Sequence, residues 1–469
     1  MATNTPDAGG TGARVDDRPP EFASLPETLL DDDPSLHRLI IVGGGAAGLE
    51  LATKLGDCLG KRRAASIMLL DRSRTHVWKP LLHELAAGSL DSAVDAVEYG
   101  AHARRHHYKY RIGAMYGIDR VRKRIHVEAT HDDTGREVIP RRAFGYDTLV
   151  LAVGSISNDF GTPGAKDHAI ALDTAEQAIR FNRDMINACL RANAQRGPLR
   201  PGQLHCAIVG AGATGIELAA ELHRTMRDLA AFGLDHIDFD KSIQLTVIEA
   251  GPKILPPLPE RISRPTHELL EQLGIRIVLG RQVTEVRADG LVLDGVDFIP
   301  AEMKVWAAGI KAPVFMGGLD GLEVDRINRI VVRETLQAKG DDDVFAIGDC
   351  ACYVQPGDKG PLPARAQSAH QMAATVCRSI RNRVRGQPPV TFRYRDFGSL
   401  VNLSEYGTFG HLLDSFTGRS VSVAGMFART MYKALYRMHL ASVHGPMKAG
   451  VGLVVEAITR RSQPRVKLH

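Results

Sequence analysis

Two stretches of this chain place glycines and acids in an order that can hold a doubly charged anion. Gly43, Gly45 and Gly48 stand in Ile41-Val42-Gly43-Gly44-Gly45-Ala46-Ala47-Gly48. Gly210, Gly212 and Gly215 stand in Ile208-Val209-Gly210-Ala211-Gly212-Ala213-Thr214-Gly215, offset by 167 residues. Each is a G-x-G-x-x-G that closes an apolar run and opens a helical pattern. The first glycine makes the tight turn, the second lets backbone approach a pyrophosphate, and the third lets helix pack on sheet. The pyrophosphate then faces the free N–H groups and the positive end of the helix. Such a site also needs an acid at the end of the next strand for ribose hydroxyls. Asp71 ends the run Ser66 to Leu70, and Glu249 ends the run Ile243 to Ile248. One glycine loop is weak evidence; two in matching context predict two adenine dinucleotides on one polypeptide.

Those loops must be carried by two strand–turn–helix units. Tyr146 to Ser155 reads as a strand with a small-residue turn, and Met303 to Gly309 echoes it; each follows its own glycine loop by about 100 residues. A whole nucleotide-binding domain is therefore duplicated. Asp343 to Asp349 is a further buried strand ending in Gly348-Asp349, placed after the second copy has closed. This predicts a second domain inserted into the first, with Asp349 accepting a hydroxyl of the first dinucleotide. An ordinary strand–turn is the alternative for that dipeptide alone. The expected fold class is α/β, with two Rossmann-like domains: FAD-binding at 37–174 and 313–417, and NADH-binding at 175–312 between them. Two dinucleotides on one chain point to a flavoenzyme that acts on a nicotinamide nucleotide.

Glu249 lies 39 residues after Gly210, beyond the usual spacing of about 20, so an inserted helix and turn is expected over Arg227 to Asp240. An acid at Glu249 repels a 2′-phosphate, which predicts NADH rather than NADPH. The alternative is that Asp71 and Glu249 are solvated strand-end residues.

Three further stretches narrow the reading: Thr75-His76-Val77-Trp78-Lys79-Pro80-Leu81-Leu82-His83-Glu84, Arg365-Ala366-Gln367-Ser368-Ala369-His370-Gln371, and the block from Met426 to His469. With the two loops, these make residues 37–469 resemble the type II, non-proton-pumping NADH:quinone oxidoreductases of bacterial respiratory chains. The resemblance implies FAD as cofactor, NADH as substrate and a membrane quinone as acceptor, on the cytoplasmic face of the cell membrane. It places the quinone at an Ala-Gln-x-Ala-x-Gln signature, matched in full by Ala366-Gln367-Ser368-Ala369-His370-Gln371, with Ala366, Gln367, His370 and Gln371 as the quinone residues. A quinone needs a flat, mostly apolar slot with a few donors, and Gln367 and Gln371, four apart, share a helical face. From the motif alone, exposed glutamines on a helix are an equal reading. The resemblance also places Lys79 near the flavin, where a cation would favour the anionic reduced form, and Glu217 near the nicotinamide. A surface lysine is the alternative for Lys79. Glu50 holds the matching place in the first copy, where no nicotinamide binds, so helix N-terminal electrostatics is the alternative for Glu217.

The remaining signals concern charge and cysteine. The chain has 469 residues and a net charge of +5, unevenly spread. Residues 1–36 hold eight acids against two bases and are expected to be a disordered tail. Residues 418–469 hold nine bases against one acid. There Phe427, Met431, Leu435 and Met438 form one helical stripe and Arg429, Lys433 and Arg437 another, flanked by Tyr432 and Tyr436. Such a helix suits an anionic bilayer surface; a helix packed on its own protein is the alternative. No run is long enough to span a bilayer, and no secretory leader is read. The six cysteines form no C-x-x-C pair, so a redox disulfide of the thioredoxin-reductase kind is not expected. Cys350 and Cys352 read as small buried residues near a cofactor. His102, His106 and His107 lack ligand partners at metal spacing and are expected on a solvated face; no metal is assigned. No nucleic-acid-binding signature accompanies the basic residues, and a homodimer stays open. The rival readings are a sulfide:quinone oxidoreductase, a soluble NAD(P)H reductase feeding a protein acceptor, and a redox-sensing NADH-binding protein.

Overall fold

The computed structural model describes residues 25, 28, 33, 35–90, 96–231, 236–413, 420–425, 428, 430–432, 434, 437 and 443. The acidic tail therefore lies almost wholly outside the described residues. At one point where disorder is expected, the chain is held: the Thr28 N–H donates to the Ala143 carbonyl at 2.8 Å.

Two five-stranded parallel sheets are built to the same plan. The first runs Val344–Ala346, Thr148–Leu151, His37–Val42, Ala65–Asp71, Lys109–Ile112 across its width. The second runs Ile170–Ala171, Met303–Trp306, His205–Val209, Gln244–Glu249, Arg276–Leu279. Leu39 to Val42 and Cys206 to Val209 are buried as continuous apolar runs, as strands covered on both faces must be. In each sheet the strand before the glycine loop lies between the strand ending in the acid and the strand ending in the small-residue turn. Strand order reverses there, so both crevices open at a topological switch point. Each sheet also carries a three-stranded antiparallel flap, with central strands Arg124–Val127 and Gly290–Leu293.

The chain crosses between the sheets twice, and the crossings pair antiparallel, Ile156 with Lys311 and Ser157 with Ile310. Ile170–Ala171 pairs with Met303–Trp306, so the second sheet already claims residues that the sequence reading left in the first domain. A Thr174–Gln177 capping box then starts the helix Ala175–Ala194.

Three features differ from the sequence reading. First, the extra length before Glu249 is largely a continuation of the loop helix, which runs unbroken over Ala213–Ala231, followed by one short turn at Phe239–Ser242. Second, the short helix Leu82–Ala87 belongs in sequence to the first domain but packs into the second core. Its Leu82, Leu85 and Ala86 join Phe181, Met185, Leu218 and Leu222 there. Gly88 ends it with φ +80°, and the Asn182 side-chain amide donates to the Ala86 carbonyl at 3.1 Å. Third, the basic C-terminal segment 418–469 includes a strand ahead of the expected helix. Ser420–Ala424 is one edge of a three-stranded antiparallel sheet, with Thr408–Leu413 in the centre and Gly398–Asn402 on the other edge. Of the two helical stripes, Phe427, Leu435, Met438, Arg429 and Lys433 lie outside the described residues, as do 451–455.

Candidate functional site

The two glycine loops share one steric logic. Gly43 has φ +99° and Gly210 φ +105°, a left-handed region that favours glycine. A Cβ on Gly43 would sit 2.4 Å from the Ala152 carbonyl oxygen, and one on Gly210 would sit 2.8 Å from Ala307. At the third glycine of each copy a Cβ would strike the carbonyl oxygen of the first, at 1.9 Å for Gly48 and 2.0 Å for Gly215. At the second glycine, Gly45 or Gly212, a Cβ would meet no protein atom within 4 Å. Two of the three motif glycines in each loop are thus demanded by the fold. The remaining one is demanded by nothing in the protein and lies where a pyrophosphate would approach. Both cradles fit a dinucleotide.

The strand-end acids are wired alike. Asp71 accepts from Gly44 N at 2.6 Å and Ser73 N at 2.8 Å. Glu249 accepts from Ala211 N at 2.9 Å and Gly251 N at 2.8 Å. Each acid therefore braces its own glycine loop. Burial pushes the Asp71 carboxyl above its ordinary range, against the two backbone donors. Tyr99, which carried no sequence signal, locks the first loop. Its hydroxyl donates to the Gly44 carbonyl at 2.7 Å, and it occupies the space of a Gly44 Cβ.

Gly348 (φ +73°) opens a 3-10 turn beside Ala47 and Ala369, at the meeting point of both helix starts. Asp349 accepts from Ser155 Oγ at 2.8 Å, and Lys79 Nζ donates to the Ser155 carbonyl at 2.7 Å and to Asp173 at 3.2 Å. Lys79 thus lies at the domain crossing, close to the turn that carries Asp349. Cys350 and Cys352 are buried beside it.

Glu50 and Glu217 hold matching places after their loops, and the fold treats them oppositely. Glu50 is 1 % exposed, yet His370 Nδ1 lies 2.6 Å away and Lys54 Nζ also bonds it. Burial raises its pKa, but those two partners win and hold it below the ordinary value. Glu217 accepts from Asn402 N at 2.9 Å and lies 3.9 Å from His83. Burial raises its pKa to about 8, helped by repulsion from Glu84 and Glu221; the Asn402 N–H and the Tyr432 hydroxyl oppose this without prevailing. His83 is pushed down to about 4 by burial and is neutral. Glu221 stays ionised: burial opposes it, but Arg224 at 2.6 Å and Ser89 Oγ at 2.6 Å hold its pKa down. One protonated and one ionised carboxyl, four residues apart on one helix face, is an arrangement suited to holding a proton at neutral pH.

The signature helix spans Ala366–Val384. Gln367 Nε2 donates to Asp396 Oδ1 at 3.1 Å and to the Gly398 carbonyl at 3.0 Å, while its Oε1 accepts from Phe397 N at 3.2 Å. Gln371 donates to the Arg395 carbonyl at 2.8 Å and accepts from Arg395 N at 3.0 Å. Both amides therefore hold the 395–398 segment against the helix, and Phe397 is left 52 % exposed. His370 faces Glu50 in the first-loop helix.

Two aromatic expectations need correction. His102 is buried rather than solvated, with Tyr108 Oη at 2.9 Å and the Val443 carbonyl at 2.8 Å. Tyr432, expected to border a lipid-facing stripe, turns towards the protein and bonds Glu217. Ala428 and Val443 are buried too. Sequence reasoning also missed His83, Glu221 and Arg224. The available signal was Glu217 and Glu221 at helical spacing, with His83 in a stretch already singled out.

A duplicated dinucleotide fold with one domain inserted in the other, and two braced glycine cradles, defines a two-nucleotide flavin oxidoreductase. Residues 37–373 match the family described as pyridine nucleotide-disulphide oxidoreductase. The type II NADH:quinone oxidoreductase of Haemophilus influenzae is 40% identical over 446 residues, covering 92% of this chain and 100% of the relative. That of Staphylococcus haemolyticus is 29% identical over 379 residues, covering 80% and 89%. Among solved structures, NDH2 of Plasmodium falciparum in complex with NADH superposes with TM-score 0.75 at 17% identity, covering 92% of this chain and 100% of that one. The sulfide:quinone oxidoreductase of Aquifex aeolicus shares the fold, with TM-score 0.68 at 16% identity and coverage of 91% and 96%. The chain belongs to the pyridine nucleotide-disulphide oxidoreductase family and, within it, to the type II NADH:quinone oxidoreductases. Its activity is FAD-linked oxidation of NADH coupled to two-electron reduction of a quinone.

Proposed function

We propose that the first cradle (Gly43, Gly45, Gly48, Asp71, with Gly348 and Asp349) holds FAD and the second (Gly210, Gly212, Gly215, Glu249) holds NADH. The observation that carries this is the repeated steric pattern, in which only the second glycine of each loop faces away from protein. FAD held there would supply the two-electron redox chemistry that links NADH to quinone. The chain's own residues orient the partners and manage protons. Lys79 adds positive charge at the domain crossing. Glu217, protonated at neutral pH, presents a carboxyl hydrogen on the nicotinamide side. The quinone site is the face of Ala366, Gln367, His370 and Gln371, where the two glutamines set the 395–398 wall.

The enzyme works as a peripheral protein at the cytoplasmic face of the cell membrane. Support comes from the basic balance of 418–469 and from the described residues, among which no helix is long and apolar enough to cross a membrane. An anionic lipid surface is the partner of that segment. A second copy of the chain is compatible with all of this. The intact second cradle with Glu249 favours this reading over a sulfide:quinone oxidoreductase.

Stopped flow on Gln367→Ala tests the assignment. Flavin reduction by NADH should keep its wild-type rate while reoxidation by a short-chain quinone slows at least tenfold, a loss of about 1.4 kcal/mol. Equal slowing of both halves would place the quinone elsewhere.

A further inference from the structure

Cys58 and Cys377 are 319 residues apart in sequence and adjacent in space. The helix Ala46–Leu55 does not simply stop. It widens into a π-helical turn over Gly56–Gly60, with Cys58 at its centre. Such turns are rare and recur at functional positions. The two glycines that flank Cys58 let this turn press on backbone: a Cβ on Gly56 would sit 1.9 Å from the His106 carbonyl oxygen, and one on Gly60 2.1 Å from that of His107. The direction of Cys58 is thereby fixed.

The partner helix is Ala366–Val384. Glu50 and His370, 2.6 Å apart, set its register against the first-loop helix. Cys58 lies eight positions beyond Glu50 and Cys377 seven beyond His370. Both are about two turns, or roughly 11 Å, further along helices that run the same way. The two thiols come together there, with Cys377 in the first hydrophobic core and Cys58 packed against that core. Cys58 is half-buried, and its Sγ lies 3.7 Å from the Leu55 carbonyl; Cys377 is buried. The pair stands about 20 Å from the Gly43–Gly45 loop, at the far end of the helix, outside the dinucleotide cradle.

The chemistry of this pair differs from that of the other cysteines. The neighbouring Cys377 thiol and the nearby Arg381 and Arg62 guanidiniums hold the Cys58 thiol below its ordinary range, against burial. Burial pushes Cys189, Cys206, Cys350 and Cys352 the other way. A half-exposed thiol held towards thiolate, beside cations and a second thiol, is the pattern of an oxidisable site.

We propose that Cys58 and Cys377 form a reactive dithiol that a hydroperoxide oxidises to a disulfide, joining the first-loop helix to the signature helix. The Cys58 thiolate attacks one peroxide oxygen; the O–O bond breaks, hydroxide leaves and Cys58 becomes the sulfenic acid. Cys377 sulfur then attacks the Cys58 sulfur; the S–O bond breaks, the S–S bond forms and water leaves. The Cys377 proton and the sulfenic oxygen are accounted for in that water, and the hydroxide takes the proton first lost by Cys58. Two thiols lose two electrons, and one hydrogen peroxide becomes two waters. In a reducing compartment the dithiol is the resting form and the disulfide a reversible state.

The test uses the FAD-replete full-length enzyme, hydrogen peroxide in modest molar excess, and peptide mapping without reduction. The expected result is a Cys58–Cys377 linked peptide, loss of two titratable thiols per chain, and recovery of both with dithiothreitol. Cys58→Ser and Cys377→Ala should each abolish the linked peptide. Cys377→Ala keeps the buried position apolar, and the wild-type map decides the matter even if that variant folds poorly. A wild-type map with Cys58 overoxidised and Cys377 unlinked, or with another cysteine oxidised first, would overturn the proposal.

Discussion

Replacing Glu217 by Gln removes one ionisation and little else. The carboxyl sits in a fully covered site with Asn402 N and the Tyr432 hydroxyl as donors and with Glu84 and Glu221 as repulsive neighbours. Its pKa is raised from 4.5 to about 8. The folded state therefore binds an extra proton through that window, and stability falls as pH rises from about 4.5 to about 8. At 1.36 kcal/mol per unit, full ionisation costs the fold on the order of 5 kcal/mol. Glutamine resembles the protonated acid and cannot ionise. At about pH 5 the variant should match wild type within about 1 kcal/mol, the scale of one altered hydrogen bond. At about pH 8.5 it should be more stable by several kcal/mol. His83, lowered to about 4, works in the opposite sense: its contribution is lost as pH falls below about 6.5. It is present in both proteins, so the difference between them isolates Glu217. Urea unfolding followed by tryptophan fluorescence is the assay, since Trp306 is buried in the second sheet, in the domain that carries Glu217. If the two midpoints run parallel from about pH 5 to about pH 9, Glu217 is ionised at neutral pH and the burial argument is wrong.

Glu249→Ser with an added arginine nearby should shift the NADH-to-NADPH ratio of kcat/KM by about tenfold to a hundredfold, the equivalent of roughly 1.4–2.8 kcal/mol of relieved repulsion; steady-state kinetics with both nucleotides checks it, and a wild-type enzyme indifferent to the 2′-phosphate would remove the role given to Glu249. Gly212→Ala should fold normally but bind NADH at least tenfold more weakly, because its Cβ meets no protein. Gly215→Ala should instead lower the melting temperature, because its Cβ strikes the Gly210 carbonyl at 2.0 Å; calorimetry and NADH titration separate the two. Changing Arg429, Lys433 and Arg437 together to Gln should weaken binding to anionic vesicles by roughly 3 kcal/mol at low salt, with little effect on neutral vesicles; unchanged co-sedimentation would assign that helix to packing or dimerisation.

What was legible in the sequence is what short-range sterics dictates. The glycines within each loop are constrained within a few residues of one another, and each strand-end acid, like Gly348-Asp349, closes its own apolar run, so the pattern inside each short motif carries the information. Glu50 and Glu217 show where this ends. They look interchangeable in sequence, but one meets His370, 320 residues away, and the other meets Asn402 and Tyr432. No local periodicity encodes those partners. The same holds for Leu82–Ala87, whose apolar side chains satisfy a helical pattern in either core, and for His102, buried by the Val443 carbonyl. Gln367 and Gln371 were recognisable as a pair on one face, but their amides are turned to the 395–398 backbone, which only the fold reveals.

The central claim is that one chain couples two half-reactions through a flavin held in the first cradle. An anaerobic spectral titration tests it most directly. The purified enzyme should show oxidised-flavin absorbance that one equivalent of NADH bleaches, and one equivalent of a short-chain quinone should restore it. Bleaching by NADH without recovery on adding quinone, or no bleaching by NADH at all, would contradict the account.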